Sequence, residues 1–295
     1  MSTLIDILKK TSDALTRDDA GQEQLIPRPS RSLPNMDTIR EVMNLVKATL
    51  FPGFFDDSGR VTDLHVNVRV TRLYSLLDEQ IYKSSRFFGN DPDAPGERAS
   101  TLALAFIERL PEIKRLLSTD IQAVREGDPA ATSYGEVICC YPAVQAMIYY
   151  RVAHELLLLG VPVLPRIITE LAHSSTGIDI HPGARVGEYF SIDHGTGVVI
   201  GETCVIGNHV RLYQGVTLGA KSFTLGDEGI PLNLQRHPII EDNVIIYSNS
   251  TILGSITIGH DSVIGGNIWQ VRDVPPRSRV IQRRATAAFT GGLGI

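Results

Sequence analysis

Cysteine is scarce in this chain. Three thiols in 295 residues, two of them adjacent at Cys139 and Cys140, give neither a disulfide framework nor the CxxC spacing of a zinc site. They read as small buried thiols in a reducing compartment. Long apolar runs are missing too. The most apolar stretch, LLLLGVPVLPRII at 156–168, is too short to span a bilayer and is broken by glycine and proline. The opening MSTLIDILKKTSDALTRDD carries charge where a signal peptide needs an apolar centre, so a cytoplasmic protein with no membrane partner is expected. Nor is there an excess of positive charge. A net charge of -5 argues against nucleic acid as a partner while leaving small anions open.

What remains is ample for a core: 43% hydrophobic residues in a chain of this length suit one large domain or two medium ones. The first 35 residues are polar, end in IPRPSRSLP, and read as an arm or linker spanning 1–35. Helical spacing then takes over. MDTIREVMNLVKATLF places Ile39, Val42, Met43, Leu45, Val46 and Leu50 near one face. The pattern continues through TLALAFIERLPEIKRLLSTDIQAVREGDPAA and YPAVQAMIYYRVAHELLLLG, with Gly160 a stop signal for the latter. A helical domain over 36–175 follows.

Near Ile178 the period changes from a helix's to six. Aliphatic residues recur at Ile180, Val186 and Ile192, at Ile200, Ile206, Leu212 and Leu218, and at Ile240, Ile246, Ile252, Ile258 and Ile264. Many are followed by glycine. A sustained six-residue repeat is the signature of a parallel β-helix, in which one aliphatic side chain per flat face points inward and stacks on its equivalents in neighbouring coils. The domain is expected over 176–276, leaving a C-terminal tail at 277–295. Two breaks interrupt the rhythm. Ile192 to Ile200 spans eight residues, so two extra residues fall within DHGTG, beside an acid and a histidine. AKSFTLGDEGIPLNLQRHP (220–238) lacks the repeat and reads as a loop thrown out of the coil, the kind of insertion that gathers on a binding face.

The runs GIDIHPGARVGEYFSIDHGTGVVIGETCVIGNHVRLYQGVTLGA and RHPIIEDNVIIYSNSTILGSITIGHDSVIG resemble the hexapeptide-repeat serine O-acetyltransferases. REGDPAATSYGEVICCYPAVQAMIYYRVAHELL is similar to that family's helical N-terminal domain, so the likeness covers about half the chain, from Val124 to Val274. The resemblance implies an α+β fold, a helical N-terminal domain followed by a left-handed parallel β-helix of hexapeptide repeats. It also implies acetyl transfer from acetyl-CoA to the L-serine hydroxyl, giving O-acetyl-L-serine for cysteine biosynthesis. Acetyl-CoA would be a co-substrate, with no tightly bound cofactor. The family trimerises with active sites between neighbouring subunits, and helical domains pair trimers into hexamers, so a homotrimer or dimer of trimers is expected.

His194 matches the family's catalytic base. Acyl transfer to a hydroxyl needs one, because the hydroxyl is a poor nucleophile until its proton is removed, and imidazole titrates near neutrality. Asp179 matches the acid that orients the histidine; it lies fifteen residues upstream, short of one coil, so adjacent coils can bring the two together. Asp128 and Asp193 match carboxylates that engage the serine substrate, although Asp128 also reads as a capping or turn residue in GDPAA. Arg236 and His237, in QRHP, match a pair near the substrate carboxylate, where a guanidinium binds bidentately. Ala220 and Ser248 fall at positions lining the pantetheine arm of CoA. His181, His209 and His260 raise a different possibility, because trimeric β-helix carbonic anhydrases hold zinc on three histidines. The motif around them is the acetyltransferase's, so no metal is expected.

The chain departs from the family's pattern at three places. The N-terminal arm is longer than in the compact members. The loop 220–238 is longer than the family's glycine-rich segment and keeps Lys221 but few glycines. After Pro276, RSRVIQRRATAAFTGGLGI replaces the turn that packs near the CoA adenine. Arg279, Arg283 and Arg284 are expected to compensate by meeting the cofactor's phosphates. The terminal Ile295 resembles the family's tail that inserts into O-acetylserine sulfhydrylase. Two alternatives compete: a CoA-dependent O-acetyltransferase acting on homoserine or another hydroxylated amine, and a non-catalytic regulatory paralogue. The presence together of Asp179, Asp193, His194 and Arg236 argues against the second, since a binding module needs none of them.

Overall fold

A computed structural model describes residues 3–16, 33–56, 62–88, 96–222, 226 and 234–282. Residues up to Leu33 form a compact unit of their own, whose helix α1 (Leu4–Thr16) is exposed at Leu4, Ile5, Ile7, Leu8 and Leu15. Over Leu4–Thr16 the stretch expected to be an arm or linker is helical.

The second unit opens with α2 (Met36–Leu50), where the Asn35 side chain accepts the Asp37 and Thr38 N–H groups as N-cap. Its apolar face is the one the spacing predicts, with Ile39, Val42, Met43, Val46 and Leu50 buried and Leu45 packed against them. Then come α3 (Asp63–Phe88), α4 (Gly96–Gly127), α5 (Tyr134–Cys140), α6 (Pro142–Leu158) and α7 (Leu164–Thr176). Helix α6 is buried on most of its circumference and begins at Pro142, where the missing N–H costs nothing. Gly160, at φ +77°, provides the stop beyond it. Cys139 and Cys140 are exposed, contrary to expectation; the short helix α5 buries only Val137 and turns both thiols outward. Cys204 is buried as expected. Among the described residues no helix is long and apolar enough to cross a membrane.

From Asp179 the chain winds as a left-handed parallel β-helix of three sheets. Sheet 1 holds β1 (Asp179–Ile180), β4 (Val199–Ile200), β7 (Thr217–Gly219), β10 (Thr251–Leu253) and β13 (Trp269–Gln270). Sheet 2 holds β2 (Arg185–Val186), β5 (Val205–Ile206), β8 (Ile239–Ile240) and β11 (Thr257–Ile258). Sheet 3 holds β3 (Ser191–Asp193), β6 (Arg211–Tyr213), β9 (Ile245–Ile246), β12 (Val263–Ile264) and β14 (Arg279–Val280). The hexad aliphatics are the inward column of each face: Ile180, Ile200, Leu218 and Ile252; Ile206, Ile240 and Ile258; Ile192, Leu212, Ile246 and Ile264, all buried. Each contributes about 1.5–3 kcal/mol by leaving water. Ile246, fully enclosed between Leu212 and the next coil, is a direct test. Ile246→Ala should lower the unfolding free energy by about 2–5 kcal/mol in urea melts, and a loss under about 1 kcal/mol would deny the column its role.

Strand β14 pairs with β12, so the coil runs beyond the expected boundary at 276 and takes Arg279 with it, exposed on sheet 3. Register also locates both breaks. Asp179 pairs with Val199, twenty positions on, whereas Val199 pairs with Thr217, eighteen on. Asp193 pairs with Tyr213, and the Gly215 N–H then bonds the Thr196 carbonyl. The two extra residues are thus His194 and Gly195. The loop 220–238 interrupts the turn from sheet 1 to sheet 2, between β7 and β8.

The helical layer is clamped to the first coil by a buried ion pair. Arg151 of α6 donates to both oxygens of Asp120 of α4, at 3.0 and 3.1 Å, and to the carbonyls of Val186 and Gly187, at 2.7 and 2.6 Å. Asp120 also accepts the Phe190 N–H, and Thr119 accepts the Tyr189 N–H. Burial pushes the Asp120 carboxyl up to about 6, with Arg151 pulling it back. The clamp grips the turn leading directly into β3.

Candidate active site

Strand β3 ends at Asp193, and the inserted pair that follows forms a tight turn. The Gly195 N–H donates to the Asp193 carbonyl at 2.7 Å, an i to i+2 bond with His194 at its centre in the left-handed region at φ +56°. Gly195 must be glycine: a Cβ there would lie 2.5 Å from the Ile178 side chain. The coil stays closed beneath the turn while the imidazole is pushed out, with its side chain 75% exposed and Nε2 3.8 Å from Asp193 Oδ1. A histidine held this way is offered to something outside the coil.

Beside it stands Asp128, just past the end of α4. Its Oδ1 accepts the Ala130 N–H at 2.8 Å, the turn role read in GDPAA, while Oδ2 accepts the Tyr141 hydroxyl at 2.6 Å. These bonds, Tyr141's first, hold the Asp128 carboxyl below the usual carboxylate range; the charges of His194 and Arg125 add to the effect. Arg211 of β6 donates to the Gly127 carbonyl at 2.9 Å, and a Cβ at Gly127 would lie 1.9 Å from that guanidinium. Asp128, Tyr141, Asp193 and Arg211 surround a cavity of about 10 Å³, room for one water-sized group. Asp128, Asp193 and His194 are therefore brought together, on the edge where sheet 3 turns into sheet 1. Ser248 lies two coils further along this edge.

Arg236 and His237 lie elsewhere, on the edge between sheets 1 and 2. Arg236 forms an ion pair with Glu202. His237 is buried over Gly201, where a Cβ would meet the ring at 2.1 Å. Its Nδ1 accepts the Thr203 N–H at 3.1 Å, which leaves Nε2 to carry the proton. Burial, reinforced by Arg236, pushes its pKa down to about 4, so the ring is neutral at physiological pH and acts as a hydrogen-bonding group rather than a cation. Ala220 and Lys221 begin the loop on this same edge; Lys221, Gln235 and Arg236 line a cavity of about 130 Å³.

Asp179 does not hydrogen-bond His194. Its carboxylate gathers with Glu170 and His173 of α7, their ligand atoms within 4.8 Å of one another. His209, stacked on Tyr189, and His260, bonded to Asp261, share the edge between sheets 2 and 3, away from His181. Arg283, Arg284 and Ile295 lie outside the described residues.

No protein-family model matches the chain. A curated relative does: the chain is 45% identical over 285 residues, covering 92% of itself and 88% of the relative, to the plasmid-borne serine acetyltransferase of Synechococcus elongatus. The chain belongs to the serine acetyltransferase family. Serine acetyltransferase isoform 3 of Entamoeba histolytica, solved in complex with cysteine, superimposes with a TM-score of 0.74 at 33% identity over 96% of this chain and 92% of that one. The Neisseria gonorrhoeae serine acetyltransferase in complex with serine gives 0.55 at 27% identity, over 87% and 98%. The chain is an acyltransferase that O-acetylates serine. Sequence reasoning missed Tyr141, in the helical half, and Arg211, which lies in the repeat beside Leu212 but is not one of its inward aliphatics; Gly127, next to Asp128, hints that a side chain approaches closely there.

Proposed function

We propose that acetyl-CoA is the donor and that His194 removes the proton from the serine hydroxyl as its oxygen attacks the thioester carbonyl. The tetrahedral intermediate then expels the CoA thiolate, which takes the proton back from the imidazolium. The products are O-acetyl-L-serine and CoA. Asp128 and Asp193 receive the substrate ammonium, and Arg236 its carboxylate, with neutral His237 donating from Nε2. Asp179 becomes the imidazolium's partner when the exposed ring is covered. Ala220 and Ser248 leave room for the pantetheine arm.

One observation carries this reading. His194, in the turn from β3 to β4, and Arg236, in the turn from β7 to β8 one coil further on, stand on the two edges that flank sheet 1, so one chain presents the two halves of a site on different edges. A cyclic assembly, in which the His194 edge of one copy meets the Arg236 edge of the next, completes every site. We therefore assign the working form as a homotrimer, alone or paired through its helical domains. Docking of the C-terminal Ile295 onto O-acetylserine sulfhydrylase belongs to the same reading; a peptide of the last ten residues that fails to bind the sulfhydrylase would remove it.

Complementation tests the shared site. Arg236→Ala alone should cut kcat/KM for serine roughly ten- to hundredfold, the worth of hydrogen bonds to a charged group. His194→Ala and Arg236→Ala chains, unfolded and refolded together in equal amounts, should recover about a quarter of wild-type CoA release, because random assembly rebuilds that fraction of sites. No recovery would place both residues in one chain's site.

A further inference from the structure

We propose that Tyr141 is a positioning residue that selects for the substrate's ammonium by holding the Asp128 carboxylate aimed at the cavity it shares with Asp193. The inference rests on the reading of Asp128 as the ammonium's partner.

Tyr141 is unusually well placed to do this. It is at once the C-cap of α5, its N–H bonding the Val137 carbonyl, and the N-cap of α6, its carbonyl accepting the Val144 N–H. It also precedes Pro142, which confines its backbone to the extended region where it is found, at φ −86° and ψ 118°. Two helices and a proline thus deliver a phenol that has only two side-chain torsions left to settle. That phenol donates to Asp128 Oδ2, while Ala130 engages Oδ1. The two bonds fix the carboxylate plane and its direction.

The surroundings fit a small cation. The cavity lined by Asp128, Tyr141 and Asp193 accepts one water-sized group, the size of an ammonium and too small for a whole amino acid. Arg211 also lines it, with its guanidinium turned to the Gly127 carbonyl. The charged and titratable groups acting on Asp128 are Tyr141, His194 and Arg125, with Asp193 and Arg211 across the cavity. Tyr141 has its own pKa pushed up to about 12, chiefly by the Asp128 bond, so it remains a donor throughout the working range. A hydroxyl that only donates to Asp128 favours the carboxylate over the acid. Without it Oδ2 loses its donor and the carboxylate is free to turn away from the cavity.

The test compares Tyr141→Phe, Asp128→Asn and the double variant, by CoA release from acetyl-CoA and serine. Tyr141→Phe should raise KM for serine about three- to tenfold and leave kcat and KM for acetyl-CoA near wild type, a split that a merely structural defect would not give. In the Asp128→Asn background the same change should have no further effect. Thermal melting of Tyr141→Phe should match wild type; if it does not, the double-variant comparison still decides. If Asp128→Asn leaves KM for serine unchanged, the reading of Asp128 falls and this proposal with it. If Asp128→Asn raises KM while Tyr141→Phe leaves KM for serine unchanged, the proposal alone is overturned.

Discussion

His194→Ala should lower kcat for serine-dependent CoA release by about 10²- to 10⁴-fold, the range of a general base, while KM for acetyl-CoA stays near wild type. Its position makes the experiment clean. The imidazole is exposed and held by backbone, not by packing, so truncation removes no core contact. The turn is set by the Gly195 N–H to Asp193 carbonyl bond and by Gly195 against Ile178, neither of which uses the histidine side chain. Melting temperature should therefore be unchanged, and the activity loss will report chemistry. A thiol-release assay with acetyl-CoA and a panel of hydroxylated amino acids gives both the rate and the acceptor preference. Activity within about threefold of wild type would mean that another group takes the proton.

Arg151→Met should give the largest stability loss, about 3–5 kcal/mol, because it removes one partner of a buried pair and leaves the other uncompensated. The methionine fills similar volume, so the cost comes from polar groups. Asp120 loses two hydrogen bonds, and the carbonyls of Val186 and Gly187 each lose the Arg151 donor. Asp120 already has its pKa raised by burial to about 6, with Arg151 the chief influence opposing that rise. Without the guanidinium the carboxyl moves further up and takes a proton at neutral pH. For a chain of this size the loss corresponds to roughly 6–20 °C in melting temperature. At temperatures where the variant stays folded, KM for serine should rise, because Asp120 joins α4, which ends beside Asp128, to the Phe190 backbone three residues before Asp193. A variant melting within about 1 kcal/mol of wild type would show that the apolar contacts alone hold the layer in place.

Much of this architecture is local in origin, and was therefore legible in the residue order. The inward column of a β-helix recurs every six positions in any sequence that folds this way, so Ile180 through Ile264 announce the coils without an alignment. The same rhythm exposes its own exceptions. Two residues too many around His194 and sixteen too many between β7 and β8 mark the positions where the chain leaves the coil. The buried face of α2 follows from the 3.6-residue period in the same way. The adjacent cysteines did not follow, since a seven-residue helix with one buried side chain has too little pattern to say which way a thiol points.

Partnerships across distance were decided only by tertiary structure. Tyr141 and Asp128 are thirteen positions apart, Arg151 and Asp120 thirty-one, Arg211 and Gly127 eighty-four. No periodicity relates such pairs. Their geometry depends on how the helical layer settles against the first coil. The neutrality of His237 is likewise a consequence of burial, which residue order does not disclose. The sequence by itself determined two periods, their boundary and the insertion that lifts His194 out of the coil, because these arise from repeating local geometry. Only the folded chain placed His194 and Arg236 on different edges, because an edge is defined by the turn from one sheet to the next and exists only once the coil has closed.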